Sequence, residues 1–572
     1  MDMEKANLFG DSPGCDISAS LSGKKFYCTF IAVNIILICC GILFSVFAGE
    51  LTSLVCKKGW DARIYYHDQF LFFGRMALAA VGVLNLWLFL LKKKISLVQS
   101  LIICAIASGF ILQIDSYCRR FFWNDTLALA VYLKYYSWKE LFLPGFHNPY
   151  SQSAPPAFLF ISKLIGEILG FNKWTLTFPA LLFSLAALLE YRKFTAKLLP
   201  PWACAAAMWL FVLNPGVWVY AGEFKQYCCD FFFTIAVVSA AVDYTKDEEK
   251  AWKLLLVLGI FAPFFSHAMF FVLPSVGFAL LVHYLCNNKH KSFWMIAVCW
   301  FAVVLGIAAY TKMMMPSDMY VHEHHIKGFA PLPDSWENIK WYYHSLTSLF
   351  IAPWGLAWRY SILIIFPFIG MCIGIRKIWN KHHLPVIAGG VILLLLYIAS
   401  ALHQYSVASG MPFAKGRLIL FTIPLAILIF CGSLERKKAL YWVIPVILSA
   451  FLNCCTAVIP FGAPKSAVKE LLSRYQKGDL VLVAKGISHL SILLYAPEFK
   501  DIQLFDLKKF PEKLKSADFI HVFIADLPHG ELPLPENYTV QKVSAFAFSE
   551  IITLKRKENR SQSSAGGTAP GQ

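Results

Sequence analysis

Apolar residues run along this chain in blocks of about 20, separated by short polar loops, a pattern of membrane-crossing helices rather than of alternating strands. The blocks fall at about 26–48, 70–91, 95–114, 175–192, 202–221, 228–244, 252–266, 269–286, 293–311, 361–376, 384–402, 417–433 and 439–459. Each comes near the length needed to cross a bilayer, so the pattern predicts roughly 13 transmembrane helices. No small-residue cleavage site follows the first block, which is therefore expected to be a retained span. Basic clusters at Lys92 to Lys94, Arg192-Lys193, Lys289 to Lys291, Arg376-Lys377 and Arg436 to Lys438 then all fall on one side. The positive-inside rule makes that side cytoplasmic, with the N-terminus inside and the C-terminus outside an inner (plasma) membrane. Lys57, Lys58 and Arg63 run against the rule, in a loop this topology places outside.

One apolar stretch does not fit a span. Residues 155–170 carry Lys163 and Glu167 in mid-run and are short, and counting them as a crossing would move every later basic loop to the wrong side. They are expected to form an amphipathic helix on the outer interface. After residue 460 the pattern changes to short strand-like runs, GDLVLVA, DIQLF and DFIHVFIA, alternating with helical stretches. The expected organisation is two N-terminal transmembrane helices in 1–94, a membrane module in 95–460, a small extracytoplasmic α/β domain in 461–557, and a disordered Ser/Gly/Pro-rich tail in 558–572.

Composition narrows the function classes. Apolar residues make up 58% and charged residues 15%, against about 25% charged in a soluble domain, which excludes an ordinary soluble enzyme and a disordered chain. The net charge of +17 is spread over short loops, so it orients the chain in the bilayer and names no nucleic-acid partner. The 16 cysteines, Cys228-Cys229 among them, show neither zinc-site nor disulfide-framework spacing.

Chemistry is expected at the outer ends of the spans. The first outer segment brings Asp115, Arg119, Arg120 and Asp125 just beyond the third block, where acids and bases meet both water and lipid headgroups. Asp125 opens a helical pattern, which leaves it either an N-cap or a catalytic acid. Glu223 and Lys225 sit between two blocks, where a loop ion pair is the plainer alternative. HEHH at 322–325 invites a metal reading, but it has no fixed helical spacing and reads more simply as a solvated cluster. His267 stands at the turn of a hairpin.

In order along the chain come WNDTLALA, the interfacial QSAPPAFLF segment, GEFKQYCCD, FSHAMFFVLP and MPFAKGRLILFTIP. Together these strings resemble the bacterial GT-C glycosyltransferases related to protein O-mannosyltransferases and to the lipid A aminoarabinose and galacturonic acid transferases. The resemblance covers about residues 95–460. It implies a GT-C fold and an inverting transfer of a sugar from a polyprenyl-phosphate carrier to an acceptor hydroxyl at the outer face. Asp125 matches the acid of the first motif, Glu223, Lys225, Gln226 and Tyr227 the second, and Arg417 the last, while His267 falls at a family position.

Chemically, Asp125 would be the general base, Lys225 and Arg417 would bind the donor phosphate, and Glu223 would position the acceptor or hold Lys225. Asp115, Arg119, Arg120, Tyr227 and His267 would line the site. The chain departs from the family at Thr126, usually Glu, at Thr177, usually Arg, and at Met411, usually Tyr. No metal ligand is assigned and no cofactor is named, although a divalent metal stays open. The implied partners are the polyprenyl-phosphate-linked sugar, an unidentified acceptor (lipid, glycan or protein) and the bilayer. Two other classes compete: a glycolipid transporter or flippase, for which Arg75 is a partial signal, and an oligosaccharide ligase or polymerase using a polyprenyl diphosphate.

Overall fold

The computed structural model describes residues 24–55, 60–119, 122, 124–143, 154–287, 292–314, 329–331, 333–342, 365–405, 417–434, 464–477, 479–484, 487–496, 502–505, 519–525, 538–546 and 549–557. Eight helices are long and apolar enough to cross a membrane: Cys28–Val46, Gln69–Lys92, Leu97–Arg119, Lys173–Leu198, Tyr227–Lys246, Met269–Cys286, Phe293–Met314 and His383–Ala401. A ninth follows if Pro201–Leu213 and Pro215–Gly222, bent by 61°, are one span. The chain is a multi-pass helical membrane protein.

The expectation of about 13 spans is therefore met by eight or nine among the described residues. Three further blocks are apolar but shorter as helices: Glu248–Phe261 with 14 residues, Ile365–Lys381 with 17, and Ile423–Cys431 with nine behind a 3-10 turn. Apolar sequence continues there while helical geometry breaks, at Pro263 and in the Arg417–Thr422 turn. The block at 439–459 lies outside the described residues.

The chain divides into two compact units. The first holds residues 1–119, 154–158 and 177–459. Its Tyr227–Lys246 helix is apolar on all sides and 83% of its span is buried, as a helix surrounded by others must be. The N-terminal helices Lys24–Val46 and Trp60–Lys92 pair through small residues. A Cβ added at Gly74 would stand 2.2 Å from Ser45 Oγ and 2.9 Å from the Gly41 carbonyl, so only glycine admits this approach. Ile35, Ile36 and Ile42 of the same pair are exposed, a face suited to lipid.

The second unit joins residues 120–153 and 159–176 to everything from 460 onward. Its sheet has the order β2-β1-β3-β5-β4. Strand β1 (Leu480–Ala484) runs parallel to β2 (Ile502–Phe505) and β3 (Phe519–Ala525), and β5 (Ser549–Arg556) lies antiparallel to β3 and β4 (Tyr538–Phe546). The three expected strands are present, with the Ile487–Tyr495 helix between the first two. The β4-β5 hairpin and the Pro464–Arg474 helix are additions the sequence reading did not make. Val481, Val483, Phe523 and Ile551 pack with Val468, Leu471 and Ile492 to form the core.

Two lysines and a tyrosine tie the outer segment into this unit. Tyr135 Oη donates to the Leu493 carbonyl at 2.6 Å and Lys134 Nζ to that of Leu494 at 3.1 Å. These hydrogen bonds join the Asn124–Tyr135 helix to the α/β domain within the second unit. Lys163, the mid-run charge of the interfacial helix, is buried. Its ammonium donates to the carbonyls of Leu133 and Tyr136, each at 2.8 Å, with Glu167 Oε1 at 3.3 Å. It therefore caps the C-terminal end of the Asn124–Tyr135 helix. The opposite stripe of the Pro156–Leu169 helix, Phe160, Leu164 and Ile168, is exposed, the face a helix lying in the interface would turn to lipid.

Candidate active site

The ends of several helices of the first unit converge on the 214–226 turn. Asn214 closes the Pro201–Leu213 helix and caps the next turn, its Oδ1 accepting from the Gly216 amide at 2.8 Å. The chain then tightens into a 3-10 turn, Val219–Gly222, which is pressed against the end of the Leu97–Arg119 helix. Ser116 Oγ donates to the Val219 carbonyl at 2.9 Å, and a Cβ on Gly222 would stand 2.4 Å from the Ser116 carbonyl oxygen. Any side chain there would push the turn away, so glycine at 222 sets Glu223 beside the helix end that carries Asp115 and Arg119.

Glu223 is extended, and the Lys225 amide donates to its carbonyl at 2.8 Å before the next helix begins at Tyr227. Glu223, Lys225 and Gln226 are all buried. That differs from a solvated loop ion pair, because taking an ammonium and a carboxylate out of water costs several kcal/mol per ion unless other groups compensate. Gln226 Oε1 has no hydrogen-bond partner among the described residues. Tyr227 stacks edge-on against Tyr220 at 4.7 Å.

His267 is held against this turn. Ser266 Oγ donates to Asp230 Oδ1 at 2.6 Å, and the Ala268 amide bonds the same carboxyl group, fixing the histidine between them. The residue is half-buried, and both ring nitrogens are shielded from solvent without a hydrogen-bond partner among the described residues. Burial, with the nearby Lys225 charge, pushes its pKa down to about 4. His267 is thus a neutral group at ordinary pH, able to donate and accept but not to pair with an anion as a cation.

The sign of its linkage follows. The unfolded chain takes up a proton near pH 6.5 and the folded one resists until about 4, so the stability this site contributes is complete above about pH 6.5 and is lost as pH falls toward 4. His267→Gln is expected to flatten the fall of the denaturation midpoint of the detergent-solubilised protein between those two pH values. An unchanged pH dependence would refute the assignment.

Phe271, one turn beyond His267, packs on Tyr405 at 4.9 Å and on Phe421 at 6.2 Å, and Tyr405 Oη donates to the Leu418 carbonyl at 2.6 Å. The Arg417–Thr422 turn is thereby brought to the same end of the bundle as His267. Only the backbone of Arg417 is described, and Arg120 and Met411 lie outside the described residues. Asp125 stands in the first turn of the Asn124–Tyr135 helix of the second unit rather than before it, and its side chain too is outside the described residues. Thr126 and Thr177, where the family has Glu and Arg, are both buried.

Asp115 is the centre of a charged group at the end of its helix. Arg119 binds its Oδ2 from Nε at 2.7 Å and also from Nη2, while Arg75 Nε lies 3.3 Å from Oδ1. The Arg119 guanidinium lies over the Phe72 ring at 4.9 Å, and Phe72 stacks on Trp218 at 5.9 Å. Sequence reading placed Arg75 only as a charge inside an apolar run and did not foresee Phe72, Trp218 or the Asp230–Ser266 contact. An arginine in mid-run was the one available signal. Among the described residues no group of three or more His, Cys, Asp or Glu is arranged to hold a metal, and HEHH lies outside them.

No family model matches the chain, and no curated protein matches it. Among solved structures, the chain is similar to ArnT from Cupriavidus metallidurans bound to undecaprenyl phosphate. That likeness has 11% identity and a TM-score of 0.48, over 79% of this chain and 97% of that one. It is also similar to the oligosaccharyltransferase of Archaeoglobus fulgidus in complex with Zn and sulfate, at 12% identity and a TM-score of 0.40, over 69% of this chain and 61% of that one.

Proposed function

We propose that the protein is a GT-C glycosyltransferase of the plasma membrane that takes a sugar from a polyprenyl-phosphate carrier and passes it to an acceptor hydroxyl at the outer face. The observation that supports this reading is the buried Glu223-Phe224-Lys225-Gln226 turn, set beside a neutral His267 at one end of a membrane bundle. Glu223, Lys225, Gln226 and His267 are among the residues that carry the sequence resemblance. A fixed cation at the depth of the lipid headgroups can meet the charge that grows on a departing phosphate, and it does so most strongly where water is excluded. Lys225 is assigned that task together with Arg417, whose guanidinium can grip two phosphate oxygens. The leaving phosphomonoester needs no strong general acid.

Asp125 is assigned as the base that removes the acceptor proton as the oxygen attacks the anomeric carbon, inverting it in one displacement. Glu223 positions the acceptor or holds Lys225. The N-terminus is placed in the cytoplasm and the α/β domain outside. A reporter fused after Lys477 is expected to behave as extracytoplasmic and one after Arg436 as cytoplasmic, and a cytoplasmic result at 477 would overturn the topology. The reaction itself is tested with purified protein, which should consume a monophosphate-linked polyprenyl sugar and leave nucleotide sugars untouched. Turnover of a nucleotide sugar without lipid carrier would refute the reading.

A further inference from the structure

The N-terminal helix pair lies outside the stretch that resembles known transferases, yet it reaches into the charged group at Asp115. We propose that Arg75 of this pair and Arg119 form a binding site for the phosphate of an anionic membrane lipid, with its acyl chains lying along the seam between the Trp60–Lys92 and Leu97–Arg119 helices. The proposal rests on the membrane placement of these helices and does not depend on the transfer reaction.

Depth is the first argument. Arg75 stands 17 residues from Lys92, the cytoplasmic end of its helix, and Asp115 stands 18 residues from Leu97, where its own begins. At 1.5 Å per residue both are about 26 Å up from the inner ends, close to the outer edge of a hydrocarbon layer about 30 Å thick. Guanidinium groups at that level lie where lipid phosphates are.

Access and preorganisation are the second. Arg75 and Arg119 side chains are 38% and 28% exposed, while the Asp115 between them is only 12% exposed. The carboxylate holds one guanidinium on each of its oxygens, and Phe72, fully buried, supports that of Arg119 from beneath. Two planar forks fixed in this way can engage a phosphate with little loss of side-chain entropy. Shape is the third argument. Ile114, beside Asp115, is an exposed apolar residue of the Leu97–Arg119 helix, and Leu78, one turn below Arg75, is exposed on the side of its helix that faces Gly41 of the Lys24–Val46 helix. Cations above and exposed hydrocarbon below match the order of an anionic phospholipid, headgroup outward and chains inward.

The test uses the full-length protein in nanodiscs of phosphatidylcholine, with phosphatidylglycerol as the added lipid. A headgroup-photoreactive phosphatidylglycerol is expected to label peptides containing residues 69–75 and 114–119. Arg75→Gln is expected to weaken its retention, read by native mass spectrometry, about tenfold or more, while Arg75→Lys, which keeps the charge but loses the planar fork, recovers only part of it. Should the Gln variant fail to fold, the labelling pattern of the wild type still decides. Labelling confined to other helices, equal retention by wild type and Arg75→Gln, or full protection by millimolar inorganic phosphate would each overturn the proposal. Because none of these readouts involves sugar transfer, a failed transfer assay leaves this result standing and a failed lipid result leaves the transferase reading standing.

Discussion

Asp125→Asn is expected to reach the membrane in normal amounts and to transfer sugar at a rate lowered by on the order of 10² or more, the usual contribution of a general base. Asparagine keeps the size of the side chain and much of its hydrogen-bonding capacity, but its amide cannot take a proton. The structural cost is small. Asp125 stands within the first turn of the Asn124–Tyr135 helix, where a carboxylate gains about 0.3–1 kcal/mol from the helix dipole, and asparagine gives up that gain. The other end of the helix stays fixed by Lys163 on the Leu133 and Tyr136 carbonyls and by Tyr135 on Leu493. Single-turnover transfer from a synthetic polyprenyl-phosphate sugar is the measurement. Transfer at close to the parent rate would show that Asp125 is a helix-start residue only, and Glu223 or Asp115 would become the candidate base.

Lys225→Met is expected to cost about 10²–10³ in kcat, the loss seen when one fixed donor to a developing charge is removed. Methionine fills the space of the lysine stem in the buried turn, so packing is largely kept and the ammonium is what disappears. The split between kinetic constants carries the information. A cation that meets charge growing on the leaving phosphate lowers kcat with little change in KM, whereas one that only anchors the donor raises KM and leaves kcat alone. Lys225→Arg should recover part of the loss because it restores charge at nearly the same depth. An unchanged kcat in the Met variant would remove Lys225 from the reaction.

The membrane class and the α/β domain are legible in the sequence alone. Blocks of about 20 apolar residues need no tertiary partner to announce a crossing, since the length follows from bilayer thickness and helix rise alone. The switch to short alternating runs near residue 480 likewise marked the α/β domain, because strand patterning is local. Motif strings named Glu223, Lys225 and His267 before their surroundings were known.

How those residues are held depends on contacts between distant segments of the chain. Burial of Glu223 and Lys225 follows from Gly222 lying against Ser116, an approach between segments about a hundred residues apart in the chain that no local pattern encodes. Lys163 reads in sequence only as a charge in the middle of an apolar stretch, yet it caps another helix, since carbonyls 30 and 27 residues away supply what water otherwise would. Arg75 looked like an isolated charge in an apolar run until the fold set it on Asp115. Among the described residues, the helices long enough to cross are also fewer than the apolar blocks. Hydropathy counts residues that avoid water, and only the folded backbone shows where proline and 3-10 turns interrupt them.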